Sequence, residues 1–422
     1  MPASDTRELS RAADYRELIK QVEQASQEIE RAEDVGSSAL ALAEAILARF
    51  RDQLGLTGGR VYRRDDDDFE LTATFGDARP VRRPFRVAAD YEPIQRLEQR
   101  GVVFMAEDDP AVDRRIEQEL GTSGFAAIQV DEDTILAFDV AEAVNPEKVQ
   151  YSLGILRHSI TERLRQQRLY GILHEARRIQ ASITPRRSPD FAGYDIYGRI
   201  EPMEIVGGDY FDYIPVAEKI LGLAIADVSG HGLPAALQVR DIYMGLRMGL
   251  SRDYKIVRTV ERLNAIIHES TLTNRFVSMF YGELEADGLL IYVNAGHPSP
   301  LHFRNDGEAV ELEEGGPVLG PVRDASYERG FVRLRPGELV ALFTDGIVEA
   351  RRPEPGGGWE EYGVERLSAA LRRYRDLSAK EIVDAVRADI VAFRGTRPPR
   401  DDRTLVVVKR ESSARSRSTD AA

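Results

Sequence analysis

The sequence predicts an α+β protein built in two parts, and three observations carry that expectation. Its 422 residues exceed one ordinary domain of about 150. In the C-terminal half, short β-rich runs come in groups with pairs of helical stretches between them, the pattern of sheets covered by helices and not of alternating βαβ units. Between the halves, the stretch from Pro146 to Pro185 holds no other proline and only Gly154 and Gly171, so a helix of up to about 38 residues, roughly 57 Å long, can join them.

The elements follow in order. Residues 5–34 read as a polar helix, with Leu9, Ala12, Tyr15, Leu18 and Val22 on an imperfect 3.6-residue stripe, and Gly36 interrupts it, so residues 1–37 form an N-terminal helical segment. From Ser38 a second helix carries Leu40, Leu47, Phe50 and Leu54 to one side and ends at Gly55. The alternating runs GRVYRR and FELTATFG flank Asp65, Asp66, Asp67 and Asp68, which read as the solvated tip of a hairpin and not as a metal site. Further strands are expected at GVVFMAE, GFAAIQV and TILAFDV. This layout over residues 38–145 resembles a GAF domain, which implies a sensory module; the absence of cysteine excludes covalent bilin attachment.

In the linker, residues 146–184, the apolar positions Val149, Leu153, Leu156, Ile160 and Leu164 recur at helical spacing, and Ile172, Ala176, Ile179 and Ile183 continue the stripe. Such a seam packs on its own domains or pairs with a second copy as a parallel coiled coil, and a homodimer through the linker is the favoured expectation. Gly171 is a place for a kink or is simply tolerated. Residues 185–411 hold the β-rich runs of a second domain, and the Ser/Arg-rich tail, 412–422, is expected to be disordered.

Composition removes whole classes of function. Lys plus Arg number 57 against 71 Asp plus Glu, a formal charge of −14, which argues against nucleic acid as a partner. With no cysteine there is no disulfide, thiolate nucleophile or thiolate zinc site. The N-terminus lacks the basic and apolar regions of a signal peptide, and no run of about 18 apolar residues marks a membrane span. A cytoplasmic protein without membrane contact is expected.

The chemistry points to carboxylates. Asp209 follows two glycines in IVGGDYFDYI; Asp227 ends the apolar run LGLAIAD before a glycine turn, VSGHG; Asp345 ends ELVALFTD; Asp401 and Asp402 precede TLVVVKR. Side chains at the tips of buried strands are aimed at a sheet edge, where several would share one cleft. Two carboxylates about 4 Å apart repel by roughly 4 kcal/mol at an effective dielectric of 20, so such a cleft calls for a cation. All-oxygen donors favour Mg²⁺ or Mn²⁺ over zinc or copper. Neither GxxxxGK[ST] nor GxSxG occurs, which removes the usual ATPase loop and the serine-hydrolase elbow.

The motifs ARRIQASITP, GYDIYGRIEPMEIVGGDYFDYI, ADVSGHGLPAAL, FVSMFYGELE, YVNAGHPSPL, GPVLG, LFTDGIVEARR and DDRTLVVV, in this order over about residues 175–410, resemble the bacterial SpoIIE/RsbU-type serine phosphatases of the PPM (PP2C-like) superfamily. The resemblance implies an α-β-β-α sandwich with two Mn²⁺ or Mg²⁺ ions in a cleft at one end of two sheets. It places Asp227 as the ligand bridging both ions, the Val228 carbonyl as a backbone ligand, Asp209 on one ion, and Asp345 with an aspartate of DDRT on the other. Asp401 aligns better than its neighbour Asp402. Asp212 recurs in the motif without a reason to be a ligand.

It also implies a protein serine/threonine phosphatase that works by direct attack of metal-activated water, with Asp227 and Asp345 central and His231 or a metal-bound water protonating the leaving alkoxide. The implied substrate is a phosphorylated anti-sigma factor antagonist of STAS type. The N-terminal domain is expected to bind a small-molecule or protein activator and to act through the linker. Alternatives are a non-catalytic signal-binding dimer and a phosphatase of a small phosphorylated metabolite. His297 is expected to orient its loop; His158, His174, His268 and His302 are expected to be ordinary helix or surface residues. Gly356, Gly357 and Gly358 read as a flexible excursion near the cleft, and Arg351 and Arg352 as an exposed basic pair or a phosphate contact.

Overall fold

The computed structural model describes residues 39–141, 144–250, 255–270, 276–354 and 356–412. The expected helix over residues 5–34 and the tail beyond Ser412 lie outside the described residues. The chain divides into two compact units between Gly171 and Ile172.

The N-terminal unit runs α1 (Ala39–Leu54), β1 (Leu56–Asp65), β2 (Asp68–Gly76), β3 (Arg86–Ala88), α2 (Glu92–Arg100), β4 (Val102–Met105), α3 (Arg114–Leu120), β5 (Phe125–Gln129), β6 (Thr134–Val140) and the start of α4 (Pro146–Ile183). Its six strands form one sheet in the order β3-β2-β1-β6-β5-β4, every neighbouring pair antiparallel. Period-two alternation splits each strand between two cores. Val61, Leu136 and Ile128 pack with Ile46 and Phe50 of α1, while Tyr62, Ile135 and Ala127 pack with Leu97 of α2 and Leu120 of α3. The acidic run is the hairpin tip the sequence predicts, with Asp65 opposite Asp68.

Helix α4 spans 38 residues, unbroken at Gly171. Asn145 caps it, its Oδ1 accepting from the N–H groups of Glu147 (3.0 Å) and Lys148 (3.2 Å), and Pro146 occupies the first position, where no N–H is needed. The first half of the apolar seam is spent within its own unit: Val149, Leu153, Leu156 and Ile160 are buried there, and Leu164 packs against the same core. Farther along, Leu169, Tyr170, Ile172 and Ile179 are exposed.

The second unit holds β7 (Tyr194–Glu201), β8 (Asp209–Ala217), β9 (Ile220–Val228), α5 (Leu233–Leu250), α6 (Ile256–Glu269), β10 (Val277–Glu285), β11 (Leu289–Ala295), β12 (Leu301–Phe303), β13 (Ala309–Glu311), β14 (Gly315–Gly316), β15 (Gly330–Arg333), β16 (Leu339–Phe343), α7 (Asp345–Val348), β17 (Arg351–Pro353), β18 (Trp359–Glu361), α8 (Gly363–Tyr374), α9 (Ala379–Arg394) and β19 (Arg403–Arg410). One sheet runs β14-β11-β10-β9-β8 with β15 on β11, and the other β13-β12-β16-β19-β7. Leu223, Ile225 and Phe280 of the first meet Val340, Leu342 and Val406 of the second. On the outer faces, Ala224 and Met279 pack under Val239 and Ile242 of α5 and Leu263 of α6; Ala341 and Val407 pack under Leu371 of α8 and Val386 of α9. The unit is therefore a four-layered α-β-β-α sandwich, as expected.

One expectation needs correction. His302 is not a surface residue: it is 1% exposed in β12, with Nε2 3.0 Å from Glu338 Oε2. The triple-glycine segment belongs to a β17–β18 hairpin whose arginines are paired across it, Arg351 with Glu361 (2.6 Å) and Arg352 with Glu360 (2.6 Å). Neither is a free basic group.

Candidate metal centre

Alternation decides which acidic side chains face one another. In β8, Tyr210 and Ile214 point to the helices and Phe211 to the other sheet, so Asp209 shares the inward face and Asp212 the outward one. Asp212 accordingly pairs with Arg247 of α5 at 2.7 Å and accepts from the Tyr210 hydroxyl at 2.9 Å. In β9, Asp227 follows Leu223 and Ile225 on the inward face. The register sets Asp209 opposite Asp227, and Asp227 opposite Ser278 of β10.

From the second sheet, Thr344 at the end of β16 and Thr404 of β19 reach across. Asp209 Oδ2 accepts from Thr404 Oγ1 at 2.6 Å and from Thr344 Oγ1 at 2.8 Å. Thr344 Oγ1 in turn accepts from the Thr404 N–H at 2.9 Å. Asp209 is 2% exposed; burial and then the neighbouring Asp227 push its carboxyl well above the usual range, against the two threonine bonds.

The loop before β8 is fixed from two sides. Asp402 accepts from the N–H of Met203 (2.7 Å) and of Gly208 (2.6 Å). Gln180, near the end of α4, accepts from the Gly207 N–H (3.3 Å) and donates to its carbonyl (2.7 Å). These contacts explain the paired glycines: a Cβ on Gly207 would lie 2.1 Å from Asp402 Oδ2, and one on Gly208 2.7 Å from the Val228 carbonyl oxygen.

Asp227, Asp345 and Asp401 remain at the mouth of this arrangement. Burial and the nearby Asp345, Asp401 and Asp402 push Asp227 up to about 7. Asp345 is raised by burial and then by Glu349; Asp401 is raised by burial and by Asp345, against the Asp402 N–H that donates to it. His231 is exposed on the turn after β9, with Nδ1 2.9 Å from Glu204 Oε1. His297 is 5% exposed, held by Ser278 Oγ at 2.9 Å from Nδ1 and by Asn294, and burial lowers it to about 3, so it is neutral.

A divalent cation fits the donor chemistry. The carboxylates that raise one another offer hard oxygen donors, and no Lys or Arg acts on Asp227. Among the described residues no three carboxylate or imidazole side chains are gathered closely enough to hold an ion as they stand. The sequence did not single out Thr344, Thr404, Gln180, Ser278 or Glu204, although all five lie inside the quoted motifs.

The family described as Stage II sporulation protein E (SpoIIE) matches residues 217–411. The chain is 27% identical over 265 residues to phosphoserine phosphatase RsbU of Bacillus subtilis (strain 168), covering 62% of this chain and 77% of that protein. It is also 27% identical over 276 residues to protein IcfG of Synechocystis sp., covering 56% of this chain but 41% of the relative. The SiaA-PP2C domain of Pseudomonas aeruginosa superposes with a TM-score of 0.52 at 22% identity, over 58% of this chain and 98% of that one, a likeness of fold. No helix of the described residues is long and apolar enough to cross a membrane. With the sandwich, the strand-end carboxylates and these relatives together, the C-terminal half of the chain has a PP2C-like fold and is distantly similar to the SpoIIE/RsbU-type phosphatases.

Proposed function

We propose that this domain is a divalent-metal-dependent phosphatase of phosphoserine or phosphothreonine in a protein, and that its substrate is a phosphorylated anti-sigma factor antagonist. The observation that carries the reading is the convergence of strand-end carboxylates from both sheets, with Asp209 opposite Asp227 in register and tied to Thr344 and Thr404, and with Asp345 and Asp401 acting on Asp227. Likeness to a phosphoserine phosphatase, RsbU, supports the substrate class.

Asp227, Asp345 and Asp401, with the Val228 carbonyl and with Asp209 beside them in register, would hold two Mn²⁺ or Mg²⁺ ions. When bound, such ions supply Lewis acidity toward a phosphoryl oxygen and make water a nucleophile near neutral pH. The chain's own part is positional. Thr344 and Thr404 fix Asp209, Asp402 and Gln180 fix the loop that carries it, and β9 fixes Asp227. His231, with Nδ1 committed to Glu204, leaves Nε2 to face the departing serine oxygen and protonate it. The test is phosphate release from a phosphoserine protein with Mn²⁺. Asp227→Asn should cost more than about a hundredfold, since even indirect partners of metal ligands cost 10–100-fold; equal rates would refute the assignment.

For the N-terminal unit we propose a GAF-like sensory role. Its second core encloses a cavity of about 50 Å³ lined by Arg60, Tyr62, Tyr91 and Glu117, in which the buried Arg60 Nε and Glu117 Oε2 have no protein partner. The cavity has room for about one water; an activator of this unit would act through α4, whose far end carries Gln180. Removal of residues 1–145 with activity and oligomeric state both unchanged would argue against it.

A further inference from the structure

Beside Asp401 lies a cavity of about 380 Å³ whose charge is opposite to that of the chain. Five arginines and two carboxylates line it, on a protein with a formal charge of −14. Among the described residues, Arg351 is paired with Glu361 and Arg403 with Glu201. Arg394, Arg397 and Arg400 enter no ion pair among those residues, and Arg394 has two buried nitrogens, Nε and Nη1, without a partner. Nor does Glu201 have charge to spare, since it also meets Arg199 and Arg387.

The cluster is preorganised. Arg397 and Arg400 both lie over the ring of Trp359, 4.9 and 4.8 Å from its centre, and Pro398 and Pro399 stiffen the segment between them. Trp359, 47% exposed, forms the wall on the β18 side. Arg400 is the residue before Asp401, so whatever its guanidinium holds lies within one side chain's reach of the candidate centre. Guanidinium forks match carboxylates in two-point contacts, which an arginine without an ion-pair partner is free to make.

We propose that this arginine cleft docks acidic side chains that flank the phosphorylated residue of a protein substrate, within about four residues of it at 3.3–3.6 Å per residue. The proposal rests on the phosphatase reading of the neighbouring centre. It makes sequence context around the phosphoserine, and not the phosphate alone, part of what the enzyme selects.

The test uses the full chain with Mn²⁺ and two phosphoserine peptides of equal length, one flanked by glutamates and one by glutamines. For the unaltered protein, kcat/KM should favour the glutamate peptide by about tenfold, mainly through KM, and 0.5 M salt should erase the preference. In the double variant Arg397→Gln/Arg400→Gln the ratio of the two peptides should fall toward one. The ratio is taken within each protein, so a general loss of activity cancels. No preference in the unaltered protein, or an undiminished preference in the double variant, overturns the proposal.

A second measurement stands apart from catalysis. Trp359 is the only tryptophan in the chain, so its fluorescence reports on this cleft. Without metal, an unphosphorylated glutamate peptide should change its emission saturably, and the glutamine peptide should not. If no substrate releases phosphate, the phosphatase reading fails while this titration still decides the cleft. An equal response to both peptides, or to inorganic phosphate at the same concentration, counts against an acidic-peptide subsite.

Discussion

The carboxylate of Asp209, on one sheet of the sandwich, accepts a 2.6 Å hydrogen bond from the hydroxyl of Thr404 on the other. With Thr344 at 2.8 Å, this bond ties the two sheets together at the end where Asp227, Asp345 and Asp401 emerge. Burial and Asp227 raise this carboxyl well above the usual range, and the two hydroxyl bonds oppose that rise.

Thr404→Val should therefore be costly in spite of its matched shape. Leaving a buried polar group without one of its partners costs about 1–3 kcal/mol, and freeing Asp209 should lower phosphate release as well. Denaturant midpoints and Mn²⁺-dependent rates, read on the same preparation, check both effects. A variant as stable and active as the parent would show that the bond does not matter.

Asp401 and Asp402 are neighbours with different duties, so their asparagine variants should part company. Asp402→Asn places an amide where two N–H donors, from Met203 and Gly208, require acceptors; it should destabilise by about 1–3 kcal/mol. Asp401→Asn keeps the oxygen that accepts from the Asp402 N–H, so it should change the midpoint less than Asp402→Asn while weakening Mn²⁺ binding. Calorimetric Mn²⁺ titrations set beside thermal melts separate the two.

The metal-free protein should lose stability as pH rises from about 4 to about 7. Asp227 is raised from its ordinary 3.8 to about 7, so in that window the folded chain holds a proton that the unfolded chain has released, and the slope of stability with pH is negative. Above pH 7 the loss is complete. Asp227→Asn should flatten the slope and raise the melting point at pH 8 by a few degrees. Mn²⁺ affinity should move the opposite way, strengthening as pH rises through 7, because the ligand must be ionised. Melting curves from pH 4 to 8 with and without Mn²⁺ read both trends.

Gln180→Leu keeps the bulk of the α4 side chain and removes both bonds to Gly207. The expected outcome is a drop in phosphate release of about tenfold with little change in far-UV circular dichroism, since misplacing a positioned group can cost up to about a hundredfold. Full activity in that variant would mean that the helix end does not hold the loop.

Much of this was legible in the sequence because strand alternation and strand ends are local signals. Asp209, Asp227, Asp345 and Asp401 announce themselves by following or opening apolar runs, and Asp212 is set apart by a single step of the pleat. The short helices Glu92–Arg100 and Arg114–Leu120 were not legible, since nine and seven residues are too few to show a sustained helical period. Pairings between distant segments were hidden too. Thr404 with Asp209, and Gln180 with Gly207, join residues whose spacing in sequence carries no period. The apolar seam of the linker illustrates the converse: its spacing predicted a helix correctly, but Val149, Leu153, Leu156 and Ile160 found their partner within their own unit.

Carboxylates at the sheet ends that bind divalent ions should take Mn²⁺ from solution, and the electron paramagnetic resonance signal of the free ion reads that uptake in the full chain and in Asp227→Asn. The unaltered protein should remove two equivalents of Mn²⁺ and the variant less than one. Equal uptake by the two proteins, or none by either, would contradict a metal site there.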